Sequence, residues 1–251
     1  MSKSGRNRPG HGGRKQKAAP EDGPLWLWGS HAVDAALKNP ARTRLRIVAT
    51  ENAARRMDLS DAEITAPKDI DRLLPPGAVH QGVALYTEPL PPIALEDLIT
   101  RGARRIAVLD QLADPHNLGA IFRSAAAFAF DGLILQTRHS PPITGIVAKS
   151  ATGGIEQVAE CRVVNISRAL ETLGEAGFTT IGLAGEAADS LETVLSDVGP
   201  CAIVLGAEGA GLRSGVAKAC SQLARIPMGG DMESLNVSNA AAIAFYLAAR
   251  A

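Results

Sequence analysis

The 251 residues carry 26 basic and 26 acidic side chains, a formal net charge of zero, and 46% of them are apolar. That is enough chain for one large domain or two small ones, and with only 4% aromatics the core must be built from Ala, Val, Leu and Ile. No apolar run approaches the ~20 residues that cross a bilayer, no apolar stretch predicts a secretory signal, and Cys161, Cys201 and Cys220 lack C-x-x-C spacing, so the expectation is a cytoplasmic protein with reduced thiols and no membrane or metal partner.

Zero net charge hides an asymmetry. Lys3, Arg6, Arg8, Arg14, Lys15 and Lys17 fall in a Gly-rich start without acidic residues. Residues 1–23 are therefore predicted to be a disordered basic tail, either a loose holder of a polyanion or a solubilising segment. Residues 24–88 read as a small α/β unit. A helix is capped near Ser30 and stopped by Pro40, and strands are expected over Leu45–Thr50, Glu63–Ala66 and Gly82–Glu88. Helices are expected over Asn52–Asp58 and Pro67–Leu74. The Pro-rich segment Pro89–Ile93 is a stiff separator.

From Ala94 to the C-terminus the pattern alternates. Apolar strands are expected at Ile106–Asp110, Leu133–Gln136, Thr180–Ala184, Cys201–Leu205 and Arg225–Met228. Helices fall between them at Leu118–Phe128, Thr144–Ser150, Ser167–Ala176 and Leu191–Val198, and a last helix carries Val237, Ala240, Ala241, Ala244, Leu247 and Ala248 on one face. Continuous apolar strands separated by helices imply a parallel sheet covered on both faces. In such sheets ligands bind beyond the carboxyl ends of the strands.

Three of those strand ends are rich in specific groups. After the first come Asn117, Gly119 and Arg123, the arginine being either a solvated end or a charge aimed at a site. After Cys201–Leu205 come Gly206, Glu208, Gly209 and Gly211. Gly209, Gly211 and Gly215 also give a G-x-G-x-x-x-G spacing, but only 36 residues follow, too few for the rest of a dinucleotide-binding sheet. After Arg225–Met228 come Gly229, Gly230, Ser234, Asn236, Ser238 and Asn239, which read alone as helix caps.

The order N-x-G-x-x-x-R, L-G-x-E-G-x-G-L, I-P-M-x-G-x-x-x-S-L-N-V-S-x-A resembles the SpoU family of RNA ribose 2′-O-methyltransferases, in the SPOUT superfamily, and within it the branch acting on guanosine of 23S rRNA. Trp28–Val33 and His80–Val83 resemble segments of the small substrate-binding domain attached to ribosomal-RNA members. The resemblance implies an α/β domain with a C-terminal trefoil knot, S-adenosylmethionine as cofactor, ribosomal RNA as partner and a homodimer. It implies that Gly206, Ile226 and Leu235 line the cofactor pocket, that Met228 adds an apolar wall, and that Leu183 and Gly185 contact the cofactor. It places Asn117, Arg123, Glu208, Ser234 and Asn236 around the reacting ribose.

The family role of Arg123 as proton acceptor is chemically awkward, because a guanidinium keeps its proton to a pKa above about 12. Binding an RNA phosphate and stabilising a developing alkoxide suits it better. Arg42, Arg44, Arg46, Arg55 and Arg56 form the candidate RNA-facing set of the small unit, and His31 and His80 are read as RNA contacts or structural hydrogen bonders. The alternatives are a tRNA methyltransferase and a non-catalytic RNA-binding assembly protein on the same fold.

Overall fold

The computed structural model describes residues 23–230 and 234–251. The tail expected over residues 1–23 lies outside them except for Gly23.

The first sheet is built from β1 (Leu25–Trp28), β2 (Arg44–Ala49), β3 (Glu63–Ile64) and β4 (Val83–Thr87), in the order β1-β4-β2-β3. Its helices are α1 (Ser30–Lys38), α2 (Glu51–Met57) and α3 (Pro67–Leu73). The starts follow from local chemistry. Thr50 accepts a hydrogen bond from the Ala53 N–H to cap α2, and Pro67 opens α3 where a missing N–H costs nothing.

The second sheet has six strands, all parallel, as the alternation predicts: β5 (Arg105–Leu109), β6 (Gly132–Gln136), β7 (Ala159–Val163), β8 (Thr179–Leu183), β9 (Cys201–Leu205) and β10 (Gln222–Ala224). They lie in the order β10-β8-β9-β5-β6-β7. Period-two alternation sends Ala107, Leu109, Ile203 and Leu205 to one face and Ile106, Val108, Ala202 and Val204 to the other. The first face is covered by α5 (Pro115–Ala127), α6 (Gly145–Ala151), α8 (Leu191–Leu195) and α10 (Val237–Arg250). On the second lie α4 (Leu95–Thr100), α7 (Ile166–Glu175) and α9 (Ser214–Ala219). The chain lays down β5, β6 and β7 outward, then returns to place β8 and β9 on the other side of β5. That reversal is the topological switch point at which parallel sheets open a crevice.

The two sheets share a core. Leu27, Val33, Ile47, Val83 and Leu85 of the small unit join the same buried cluster as Leu118, Phe122 and Ile155. Pro89–Ile93 runs along the second sheet, with the Ile93 N–H donating to the Glu160 carbonyl at 2.8 Å.

One strand differs from expectation. Arg225–Met228 is not the last strand; β10 ends at Ala224. Beyond it the backbone laces into the loop after β8. The Arg225 N–H donates to the Asp189 carbonyl at 3.0 Å, and the Leu191 N–H to the Arg225 carbonyl at 2.8 Å. The Arg225 guanidinium donates to the carbonyls of Ala187 and Ala188. Pro227, lacking an N–H, could not have continued the ladder. The apolar run Ile226–Met228 was freed for another use. Sequence periodicity also missed β7, whose pattern includes Glu160 and Arg162, and the short helices α4 and α9.

Candidate active site

The carboxyl ends of β8 and β9 open onto a cavity of about 440 Å³. Its wall runs through Leu183–Glu186, Leu205–Leu212, Ile226, Met228, Ser234 and Leu235, and is closed by Val237 and Ala240 of α10. Gly206 is held to glycine by crowding: a Cβ there would stand 2.1 Å from the carbonyl carbon of Gly211. The loop folds back that tightly because Ala207 and Gly211 bridge across it. Its far end is pinned by Asp110, 1% exposed at the end of β5. The Asp110 carboxylate accepts from the Arg213 N–H at 3.1 Å, from Nε at 2.9 Å and from an Nη at 2.5 Å. A buried carboxylate satisfied this fully acts as a fixed post. Sequence reasoning passed over both residues; the signal was an acid closing the apolar run Ile106–Leu109.

Beside this cavity three segments far apart in sequence meet through their side chains. The Asn117 amide donates to Glu208 Oε1 at 2.9 Å. The Asn236 amide donates to the same oxygen at 2.5 Å and to Asn117 Oδ1 at 3.2 Å. Asn236 Oδ1 in turn accepts from the Ser238 N–H at 2.9 Å and the Ser238 hydroxyl at 2.6 Å, which caps α10. Asn117 is buried in the first turn of α5, a helix started by the Asp114 carboxylate accepting from the His116 N–H. Glu208 and Asn236 are exposed. Both amides use Oε1, so among the described residues Glu208 Oε2 accepts nothing. The trio is rigid on its protein side and open on its cavity side. It can orient a hydroxyl or a cation presented from solvent.

The SpoU rRNA Methylase family model matches residues 104–246, more than half of the chain. The protein belongs to this family. Over 89% of its length it is 35% identical to a 23S rRNA (guanosine-2′-O-)-methyltransferase of Vibrio cholerae, of which it covers 96%. An uncharacterized tRNA/rRNA methyltransferase of Synechocystis sp. is 37% identical over 88% of the chain, which spans only 61% of that relative's length. Among solved structures, the SpoU methyltransferase AviRb from Streptomyces viridochromogenes superposes with a TM-score of 0.75 at 23% identity, over 91% of this chain and 89% of that one. An AdoMet-bound rRNA methyltransferase from Sinorhizobium meliloti gives 0.75 at 24%, over 90% and 87%.

The SpoU resemblance singled out eleven positions, and the structure divides them. Leu183, Gly185, Gly206, Ile226, Met228 and Leu235 all line the cavity, as do Glu208 and Ser234. Asn117 and Asn236 join them through Glu208. Arg123 does not join them. It is exposed on α5 two turns beyond Asn117, and among the described residues its side chain has no hydrogen-bonding partner.

The RNA-facing arginines of the small unit need one correction. Arg42 is 6% exposed and ion-paired to Glu156 at 2.9 Å, so it faces the protein interior. Arg46 and Arg55 are exposed but paired with Glu63 and Glu51, and Arg56 donates to the Gln81 carbonyl. Arg44 is exposed. His80 is structural: Nδ1 accepts from the Gly82 N–H at 3.0 Å and Nε2 lies 3.2 Å from Asp71. His31 is exposed. Among the described residues no cluster of metal ligands occurs and no helix is long and apolar enough to cross a membrane.

Proposed function

We propose that the protein methylates a ribose 2′-hydroxyl of 23S rRNA, at a guanosine, with S-adenosylmethionine as methyl donor. The observation that carries this is the Asn117–Glu208–Asn236 trio, which joins the segments after β5 and β9 at the switch point and stands open beside the glycine-walled cavity. The guanosine assignment is supported by the named activity of the Vibrio cholerae relative, which the chain matches almost end to end.

The cavity suits the cofactor. Its volume falls within the usual range for small-molecule sites, about 300–1,000 Å³. Leu205, Ile226, Met228 and Leu235 offer apolar side chains to an adenine, the loops 183–186 and 205–212 bring backbone polar groups, and Glu208 brings a carboxylate to a sulfonium cation. Bound there, S-adenosylmethionine supplies the methyl group.

The chain's own residues do the positioning. Asn117 and Asn236 hold Glu208 at a fixed place, and Ser234 with Asn236 orients the ribose or the methionine end of the cofactor. Arg123, without a side-chain partner among the described residues, carries positive charge to the RNA phosphate and to the alkoxide as it develops. The lacing of Arg225 into the loop after β8 supports the trefoil knot that the resemblance implies. The active assembly is a homodimer, supported by exposed Ile243 and Tyr246 on α10, and works in the cytoplasm.

Labelled S-adenosylmethionine and 23S rRNA lacking its modifications test the reading. Methyl transfer to a guanosine ribose is expected, and RNA binding without transfer would replace it with a non-catalytic role. Transfer to tRNA alone would move the substrate assignment.

A further inference from the structure

One basic side chain outside both the trio and the cavity stands where the small unit meets the site. Lys149 lies on α6. The next residue, Ser150, has its hydroxyl 3.4 Å from Nδ1 of His116, the neighbour of Asn117. The Lys149 ammonium points to the small unit and donates to Gln81 Oε1 at 3.1 Å. That oxygen also accepts from the Ser30 N–H at 3.0 Å and the Ser30 hydroxyl at 3.1 Å.

The ammonium packs against two positions of positive φ. Gly29 has φ +87°, and a Cβ there would stand 2.2 Å from Lys149 Nζ. Gln81 sits at φ 55°, a conformation rarely taken by residues other than glycine. Such strain persists where surrounding structure requires it.

The charge is not compensated. Among the described residues no carboxylate lies within ion-pair distance of Lys149, although most basic side chains of the small unit have one. Burial pushes the lysine's pKa below its ordinary value. Ser30 already gives that oxygen two donors, so Gln81 is held without the lysine.

We propose that Lys149 binds a backbone phosphate of the RNA strand where it passes from the small unit to the Asn117–Glu208–Asn236 trio. This rests on the RNA-methylation reading above. An incoming phosphate supplies the missing counter-charge and fixes the strand on its way to the target nucleotide. The small unit and the catalytic domain then share one RNA path, joined at Lys149.

The test compares the full-length wild type with Lys149→Met and Lys149→Arg. Binding of unmodified 23S rRNA is followed by filter retention across a KCl series, alongside steady-state methyl transfer and thermal unfolding. Loss of one phosphate contact should reduce the slope of log affinity against log salt by about one. Lys149→Met should show that loss and raise KM for RNA on the order of tenfold, with a smaller change in kcat and an unchanged Kd for S-adenosylmethionine. Lys149→Arg should restore the slope. An unchanged salt slope in Lys149→Met would overturn the proposal, as would a lowered Tm with no rescue by arginine, which marks a structural prop. If the wild type binds the RNA but transfers no methyl group, the methylation reading fails while the slope still reports on Lys149.

Discussion

Two polar networks join distant parts of this chain, and they are finished differently. At the seam between the sheets, Arg42 and Glu156 are 1% and 4% exposed along their side chains. Arg42 spends Nε and one Nη on Glu156 and the other Nη on the Glu88 carbonyl, while Asn39 donates to the second carboxylate oxygen at 2.7 Å. Every guanidinium nitrogen and both carboxylate oxygens are engaged. At the cavity, Asn117, Glu208 and Asn236 are tied just as specifically, but two of the three are exposed. A closed network locates parts of the protein relative to each other. An open one is held ready for something that is not the protein.

The sharpest way to break this contrast is at the closed network. Arg42→Ala leaves the Glu156 charge buried without its partner, so stability should fall by about 3–5 kcal/mol. Urea unfolding measures it, and methyl transfer well below the new Tm should be retained. Replacing both partners by apolar residues, Arg42→Met with Glu156→Leu, should recover much of that loss. If Arg42→Ala instead weakened RNA binding at full stability, Arg42 would return to the RNA-facing set.

At the open network the pattern reverses. Asn236→Ala should lower kcat by about 10²–10³-fold, the usual effect of removing one positioned donor. Its stability cost is that of a lost helix cap, about 1 kcal/mol. Arg123→Ala should abolish transfer to a similar degree while sparing the Kd for S-adenosylmethionine. A wild-type rate in either variant would remove that residue from the site.

A smaller effect is expected where the loop must turn. Gly206→Ala brings a Cβ within 2.1 Å of the Gly211 backbone. Overpacking of this kind costs about 1–3 kcal/mol, and here it should appear mainly as weaker cofactor binding, because the displaced atoms form the cavity wall. Calorimetric titration with S-adenosylmethionine reads it directly, and unchanged affinity would show that the loop yields elsewhere.

How far the sequence disclosed these networks follows from their physics. The open one was legible through the order of the SpoU-like motifs, because Asn117 and Asn236 read alone as helix caps, and Asn236 does cap α10. The closed one was invisible. An arginine near a helix end looks the same whether it meets water or Glu156, 114 residues away. Asp110 and Arg213 were missed for the same reason, since only the fold brings them together. Continuous apolar runs disclosed the strands buried on both faces but not β7, where Glu160 and Arg162 satisfy each other at 2.6 Å and so interrupt the apolar run. For β10 the apolar signal was real but displaced, because Ile226 and Met228 line the cavity rather than the sheet.

The smallest expected effect concerns two thiols in the core on the second face of the sheet, which differ in burial. Cys161, on β7, is fully buried in that core, and burial, with the charges of Glu96 and Glu160, raises its pKa to about 11. Cys220 follows α9 near the Asp110 clamp and is only partly buried; burial and the Asp110 charge raise it to about 11 as well. A thiol that is harder to ionise when folded holds its proton longer in the native state than in the unfolded chain. Its contribution is therefore complete below pH about 9 and is lost as pH rises toward about 11. The loss cannot exceed about 1.4 kcal/mol per pH unit for each thiol. Urea midpoints at pH 8, 9 and 10 should fall more steeply for the wild type than for Cys161→Ala or Cys220→Ala. Iodoacetamide should separate the two, alkylating Cys220 in the native protein well before Cys161. Equal rates would mean that the core around Cys161 opens as readily as the partly exposed end of α9, and burial on this face would then protect neither thiol.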